Sequence, residues 1–360
     1  MTTDDPSHAQ ASIAPPANPE EKAGKIHLDG FDYLRVFFMM MVLMGHSNLF
    51  QYMGVHRQHN IGPGPNVWDY LLYEVQSSAV PSFILMSMVL FSLRPPSWSR
   101  TVDRVKKLGY LYCFWVGAWV LYTRSTPEPG VLGWIEFFLR GGGWLFYTFA
   151  SLMVLTPFCW MAAKLNRRWQ WVGLVLSILV VIATALYVYD DRKWLNHHYY
   201  WVPSCFAMMP FVAAILVPHL NRFRESGGMR YKWIAVMLVA GFVAALVEWK
   251  FSAPIESITG ERRWVPKHAR LSMQFHAIAL LILSLGVKKP VNRVVSFFAR
   301  NSLGVYCLHP FILRGFIEPA QHLIGPYAPD LAIPVGCLVV AVFCSVVTEF
   351  LRAAFKHRLI

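Results

Sequence analysis

The chain reads as an all-α integral membrane protein with about ten transmembrane helices and both termini in the cytoplasm, and three observations predict it. Hydrophobic residues make up 56% of the 360 positions and charged residues only 15%, against roughly 25% charged in a typical soluble domain. Mean hydropathy is +0.40. Apolar runs of spanning length, roughly 17 to 25 residues, recur from one end of the chain to the other. Lys and Arg gather in alternate connections, the bias that orients spans in a bilayer.

Residues 1–27 are rich in Ala and Pro and carry Asp4, Asp5, Glu20 and Glu21 ahead of Lys22 and Lys25. Too few apolar groups are present to offset the entropy of ordering, so this stretch reads as a disordered cytoplasmic tail. A signal peptide would need a basic start followed directly by an apolar run. Residues 28–360 read as a single transmembrane domain with no internal repeat or separate soluble unit. Its spans fall near residues 33–50, 69–93, 106–123, 143–163, 170–189, 200–218, 232–249, 271–287, 302–317 and 331–354. An even count puts both ends on one side. With that side cytoplasmic, the inner segments are the tail, Arg94 to Lys107, Lys164 to Arg168, Arg222 to Lys232, Lys288 to Arg300 and Arg352 to Arg358, which hold most of the 33 Lys and Arg. The net charge of +13 then reflects the positive-inside bias and calls for no nucleic-acid partner. Cys113, Cys159, Cys205, Cys307, Cys337 and Cys344 all lie inside spans without CxxC spacing, which reads as packing and indicates neither a disulfide framework nor a metal site.

The first span holds the pair that points to function. Arg35 and His46 are separated by eleven residues within LRVFFMMMVLMGHSNLF, and at roughly 100° per residue that offset returns to nearly the same helix face, about 16 Å further along the axis. A cation and an ionisable imidazole are expensive in hydrocarbon and survive there where they face protein, water or a ligand pathway. Asp32 lies roughly 21 Å from His46 along a continuous helix and cannot orient it, whereas pairing with Arg35 one turn away is within reach.

Leu28 to Ser47, in particular Asp32, Leu34, Arg35 and His46, resembles the opening signature of the membrane acyltransferase-3 family, an L-D-x-L-R-like start followed by a mostly apolar run and a His. Phe31 stands where the family has Leu. PSFILMSMVLFSL resembles the family's apolar second span ending in Ser-Gly, with Met88 after Ser87 in place of Gly. Arg104 to Lys107 stands where the family carries an R-x-x-R pair, and Lys107 keeps the charge of the second Arg but loses its planar fork. GGGWLFYTFASLMVLTPF resembles the Trp-led fourth span, and NSLGVYCLHPFIL the late Tyr-x-x-His segment.

What the resemblance implies is transfer of an acyl group from cytoplasmic acyl-coenzyme A to a carbohydrate hydroxyl, by a multi-pass enzyme of the bacterial plasma membrane. The acceptor is an envelope or exported polysaccharide or a lipid-linked glycan. Acetyl-CoA is the implied donor, succinyl-CoA stays open, and no metal is implied. Membrane lipid and other polysaccharide-assembly proteins are the expected surroundings.

The phosphates of coenzyme A call for a basic, donor-rich cytoplasmic site, which Arg35, Arg100, Arg104, Lys106 and Lys107 supply. For any one loop cation the plain positive-inside bias explains it equally well. His46 serves either as general base toward the acceptor hydroxyl or as a transient acyl carrier. His309, near Tyr306, meets the acceptor or a second proton, or packs at the bend of Pro310. Ser87 either donates to an acyl oxygen or bonds to the carbonyl of its preceding turn. Glu74 and Gln76, at the outer start of the second span, are candidates to bind sugar hydroxyls by their position, and Tyr306, in the ninth span, is a further candidate acceptor contact. The aromatic and cationic stretches Tyr189 to Trp201 and Trp249 to Trp264 suit either stacking on sugars or an interfacial belt, with the belt the plainer reading. The rival classes are a polysaccharide or proton-coupled transporter or flippase, and a partner-binding subunit of a polysaccharide complex.

Overall fold

The computed structural model describes residues 28–47, 74–95, 97–124, 127, 129–139, 146–190, 203–252, 269–325 and 327–355. The tail of residues 1–27, the first part of the second span, the GGGW of residues 141–144 and most of the aromatic stretches near 189–201 and 249–264 lie outside them.

Among the described residues the chain is all helical. Helix α1 is Asp29–His46, with Asp29 and Asp32 in its first turn, where carboxylates favour the helix dipole, and His46 in its last. A short turn at Val75–Ser77 leads into α2, Ala79–Ser92. Helix α3, Trp98–Thr123, starts where the Ser97 side chain accepts the Arg100 N–H at 3.2 Å and stops where Arg124 turns left-handed at φ 54°. Helices α4 (Val131–Leu139), α5 (Tyr147–Lys164) and α6 (Arg167–Asp190) follow. Helices α7 (Met209–Leu216) and α8 (Leu220–Glu225) are joined by a 3-10 turn and precede α9, Gly227–Ser252, and α10, Leu271–Ser284. Helix α11, Arg293–Ile324, is capped by Asn292, whose side chain accepts the Val295 N–H at 2.8 Å, and α12 is Pro329–Ala354.

Each of the ten apolar intervals of the sequence falls wholly or partly on one of these helices. Among the described residues four stretches, Arg167–Leu186, Pro203–Glu225, Gly227–Glu248 and Leu331–Ala354, are long and apolar enough to cross a membrane, and Ala79–Ser92 and Leu271–Ser284 are apolar but shorter. The other expected spans sit on helices whose hydropathy is diluted by polar groups. Some of those groups face inward, as Arg35 on α1 lines an internal cavity and His309 on α11 is buried, while others, among them Lys106, Lys107, Arg314 and Glu318, are exposed.

Helices α6 and α9 show the opposite pattern. Leu176, Leu179 and Leu186 on one, and Val239, Phe242 and Val243 on the other, are exposed. A contiguous apolar face of that size against water would drive association, and it belongs against lipid chains.

Helix α1 lies at the centre, in contact with α2, α10, α11 and α12. Phe31, Leu34 and Phe38 pack with Ile84, Val89 and Leu281, while Met39 and Leu43, further along α1, pack with Val305, Leu313, Cys337 and Val340. A third cluster joins Tyr112 and Trp115 of α3 to Phe146, Phe149 and Cys307. Helices α11 and α12 form the most extensive pair. They approach so closely at Gly304 that an added Cβ would run into the Thr348 side chain. All six cysteines are free thiols, and all but Cys113 are buried.

Gly304→Leu therefore wedges α11 from α12 and is expected to cost about 1–3 kcal/mol. Gly315→Leu, on the same helix with open space around it, is expected to leave the thermal midpoint in detergent near that of the parent, and paired melting curves check both.

Candidate active site

One cavity of about 470 Å³ opens between the helices, and its lining includes Arg35, Ser87, Thr148, Arg300, Tyr306 and Arg352. It gathers residues from α1, α2, α5, α11 and α12. Ala299, Ser302, Leu303 and Tyr306 of α11 line it together, a spacing that follows one helix face.

At the end where α1 begins, the cavity is cationic. Arg35 donates from Nη1 to Asp32 at 2.9 Å, one turn back on the same helix. Arg300 is held by Glu349 of α12, at 2.9 Å from Nε and 2.7 Å from Nη2, and Arg352 bonds to the Asn301 side chain at 2.8 Å. Arg300 and Arg352 were not singled out by sequence, where they look like ordinary members of the inner basic segments. What makes them different is that the end of α12 packs across the start of α11, a tertiary contact with no local signature.

The loop cations divide in two. Arg100 donates to the carbonyls of Phe91 at 2.7 Å and Arg94 at 3.1 Å, so its guanidinium closes the connection between α2 and α3. Burial and the neighbouring Arg94 lower its pKa. Arg104 donates to the Ser87 hydroxyl at 2.6 Å and to its carbonyl at 3.3 Å, and both guanidinium groups sit over the Phe91 ring at 4.7 and 4.8 Å. Burial brings the Arg104 pKa down to about 10, which keeps it charged at neutral pH. Lys106 and Lys107 are exposed and take no part in the cavity lining.

Ser87 accepts from Arg104 through its oxygen, so its own O–H stays available as a donor on the cavity wall, polarised by the cation behind it. Deeper along α11, the Tyr306 hydroxyl shares a 2.8 Å hydrogen bond with Thr148. One turn further stands His309, almost fully buried, with its ring centroid 6.2 Å from that of Tyr306. Its Nδ1 lies 3.1 Å from the Val305 carbonyl. A carbonyl only accepts, so Nδ1 carries the hydrogen, and in the neutral ring Nε2 is left as a lone pair. Among the described residues Nε2 has no hydrogen-bond partner.

His46 lies beside it. The two imidazole centroids are 5.3 Å apart, with His46 exposed at the last turn of α1 and His309 buried behind it. Residues more than two hundred and fifty positions apart thus form one centre at the far end of the stripe that starts with Arg35. Gln76 is drawn into the same place, for its side-chain amide lies against Gly45, where any Cβ would collide with it.

Glu74, which the sequence suggested as a sugar ligand, is instead enclosed. It has no exposed surface, and its carboxylate meets Arg270 at 3.3 Å, the Ser272 hydroxyl at 2.8 Å and His276 at 3.8 Å. Glu248 adds the cap of α10, accepting from the Leu271 N–H at 2.6 Å. This cluster pins the turn that carries Gln76 to α10. Arg270 reads in sequence as one more cation of an outer connection, and only the fold reveals its partner.

The acyltransferase-3 family model, described as an acyltransferase domain, matches residues 28–350, and the chain belongs to that family. Neither a curated protein nor a solved structure matches it.

Removing one member of the Glu74–Arg270 pair strands a buried charge, so Glu74→Gln or Arg270→Met is expected to cost about 3–5 kcal/mol, and replacing both with Met to cost less than the two single changes summed. Thermal unfolding of the three variants in one detergent measures the coupling.

Proposed function

We propose that this membrane acyltransferase moves an acyl group, acetyl in the first instance, from cytoplasmic acyl-coenzyme A to a hydroxyl of an envelope or exported polysaccharide or of a lipid-linked glycan. On this reading the ten helices that carry the apolar intervals all cross the plasma membrane of a bacterium. The cationic end of the bundle, with both termini, faces the cytoplasm. The observation that carries the proposal is the order of groups along the bundle: cations at the mouth of the cavity, hydroxyl donors on its wall, and, beyond its lining, a pair of imidazoles one turn past Tyr306.

That order suits acyl transfer. A thioester carbonyl gains negative charge on its oxygen when attacked, and the Ser87 and Tyr306 hydroxyls on the cavity wall are donors for such an oxygen. His309, with Nδ1 tied to Val305 and Nε2 unbonded, is suited to take a proton from an attacking hydroxyl. The hydroxyl oxygen bonds to the carbonyl carbon, the carbon–sulfur bond breaks, and the coenzyme A sulfur leaves as thiolate and takes up a proton. His46, exposed at the end of α1, is placed where an acceptor arriving from the opposite side would meet the pair. The imidazole–imidazole contact suits either a direct transfer or a brief stay of the acyl group on His46.

Radiolabelled acetyl transfer by the purified enzyme to envelope glycan tests this. His309→Ala and His46→Ala are each expected to reduce turnover about 10²–10⁴-fold, with coenzyme A binding retained. Full turnover in both variants would remove the imidazole pair from the mechanism, and a folded enzyme without transfer to any glycan would remove the proposed acceptor class.

A further inference from the structure

We propose that Arg35, Arg300 and Arg352 form a phosphate-binding rim, and that the phosphates of the donor rest there and not on the basic loop between α2 and α3. The inference rests on the acyl-transfer reading above. The three guanidinium groups come from three different helices and line the same cavity, yet their internal partners satisfy them only in part. Arg35 gives Nη1 to Asp32, Arg300 gives Nε and Nη2 to a single oxygen of Glu349, and Arg352 gives Nη1 to Asn301 and Nη2 to the Arg300 carbonyl.

A guanidinium carries five N–H donors and stays charged at any accessible pH. Arg35 Nη2 and Arg300 Nη1 therefore keep donors that meet no partner among the described residues. Against three cations stand two carboxylates, Asp32 and Glu349, so the rim retains an excess of positive charge. Unspent planar donors with excess charge, at the mouth of a cavity, are suited to a phosphate-bearing ligand. The loop offers less. Arg100 gives its donors to backbone carbonyls, Arg104 bonds through Nη2 to Ser87, and neither they nor Lys106 and Lys107 are part of the cavity lining. Position along α11 agrees: Arg300 is at the exposed mouth, followed by Tyr306 and then His309. A donor with phosphates on the rim would lead with its acyl end toward the imidazole pair.

Calorimetric titration of the full chain in detergent with coenzyme A tests the rim, using Arg300→Gln, Arg300→Lys and, as control, Arg293→Gln. Arg293 starts the same helix, is exposed, and lies off the cavity lining, so it removes the same charge without touching the rim. Loss of a charge-assisted hydrogen bond corresponds to a weakening of about tenfold to a hundredfold. That loss is expected for Arg300→Gln, with partial recovery in Arg300→Lys, no more than about a twofold change for Arg293→Gln, and a flatter salt dependence in the rim variant. If the parent binds coenzyme A and Arg300→Gln binds it equally well, the rim is overturned while the acyl-transfer reading stands. If the folded parent binds no coenzyme A at any salt concentration, the donor reading falls and takes the rim with it.

Discussion

The cost of leaving a charge unpaired in a low-dielectric interior governs this structure. Two polar groups inside the bundle have found a counterpart on another element: Ser87 with Arg104 and Glu74 with Arg270. These links join helices that the apolar contacts alone would leave free to rotate against one another. Apolar packing against lipid is nearly indifferent to rotation, because lipid chains are as apolar as a Leu side chain. The polar pairs are directional, and they favour one rotation of α2 against α3 and of the turn before α2 against α10.

Helix α1 is where that constraint meets function. It is the element that touches both large apolar clusters, and it carries a cation at one end and an imidazole at the other. Its neighbours reinforce the division. At the first end, α11 and α12 add Arg300 and Arg352; at the second, α11 adds His309 and the turn before α2 adds Gln76. Helix α11 carries Arg300, Tyr306 and His309 in that order, while other polar residues that break its hydropathy, Arg293, Arg314 and Glu318, are exposed. The Glu74–Arg270 cluster stands apart from the path but fixes the turn that reaches it, so its contribution is to position and not to contact.

Much of this was legible in the residues. The apolar intervals land on helices, and the Asp32–Arg35 spacing becomes an ion pair. These are local properties, set by period and by side chains one turn apart. The loop cations show the limit of such reasoning. Arg100, Arg104, Lys106 and Lys107 look alike in sequence, and the fold gives them three different situations: tied to backbone carbonyls, bonded to Ser87, and exposed.

The sequence by itself determined the helical class, the family signature around Arg35 and His46, and the pairing within α1, because each depends on residues close together along the chain. Only the tertiary structure decided that His46 meets His309, that Arg300 and Arg352 join Arg35 on one cavity, and that Glu74 is sealed against Arg270. Those encounters depend on which helix packs beside which and at what rotation. That choice is made by the sum of many directional contacts across the bundle, and no single stretch of sequence records it.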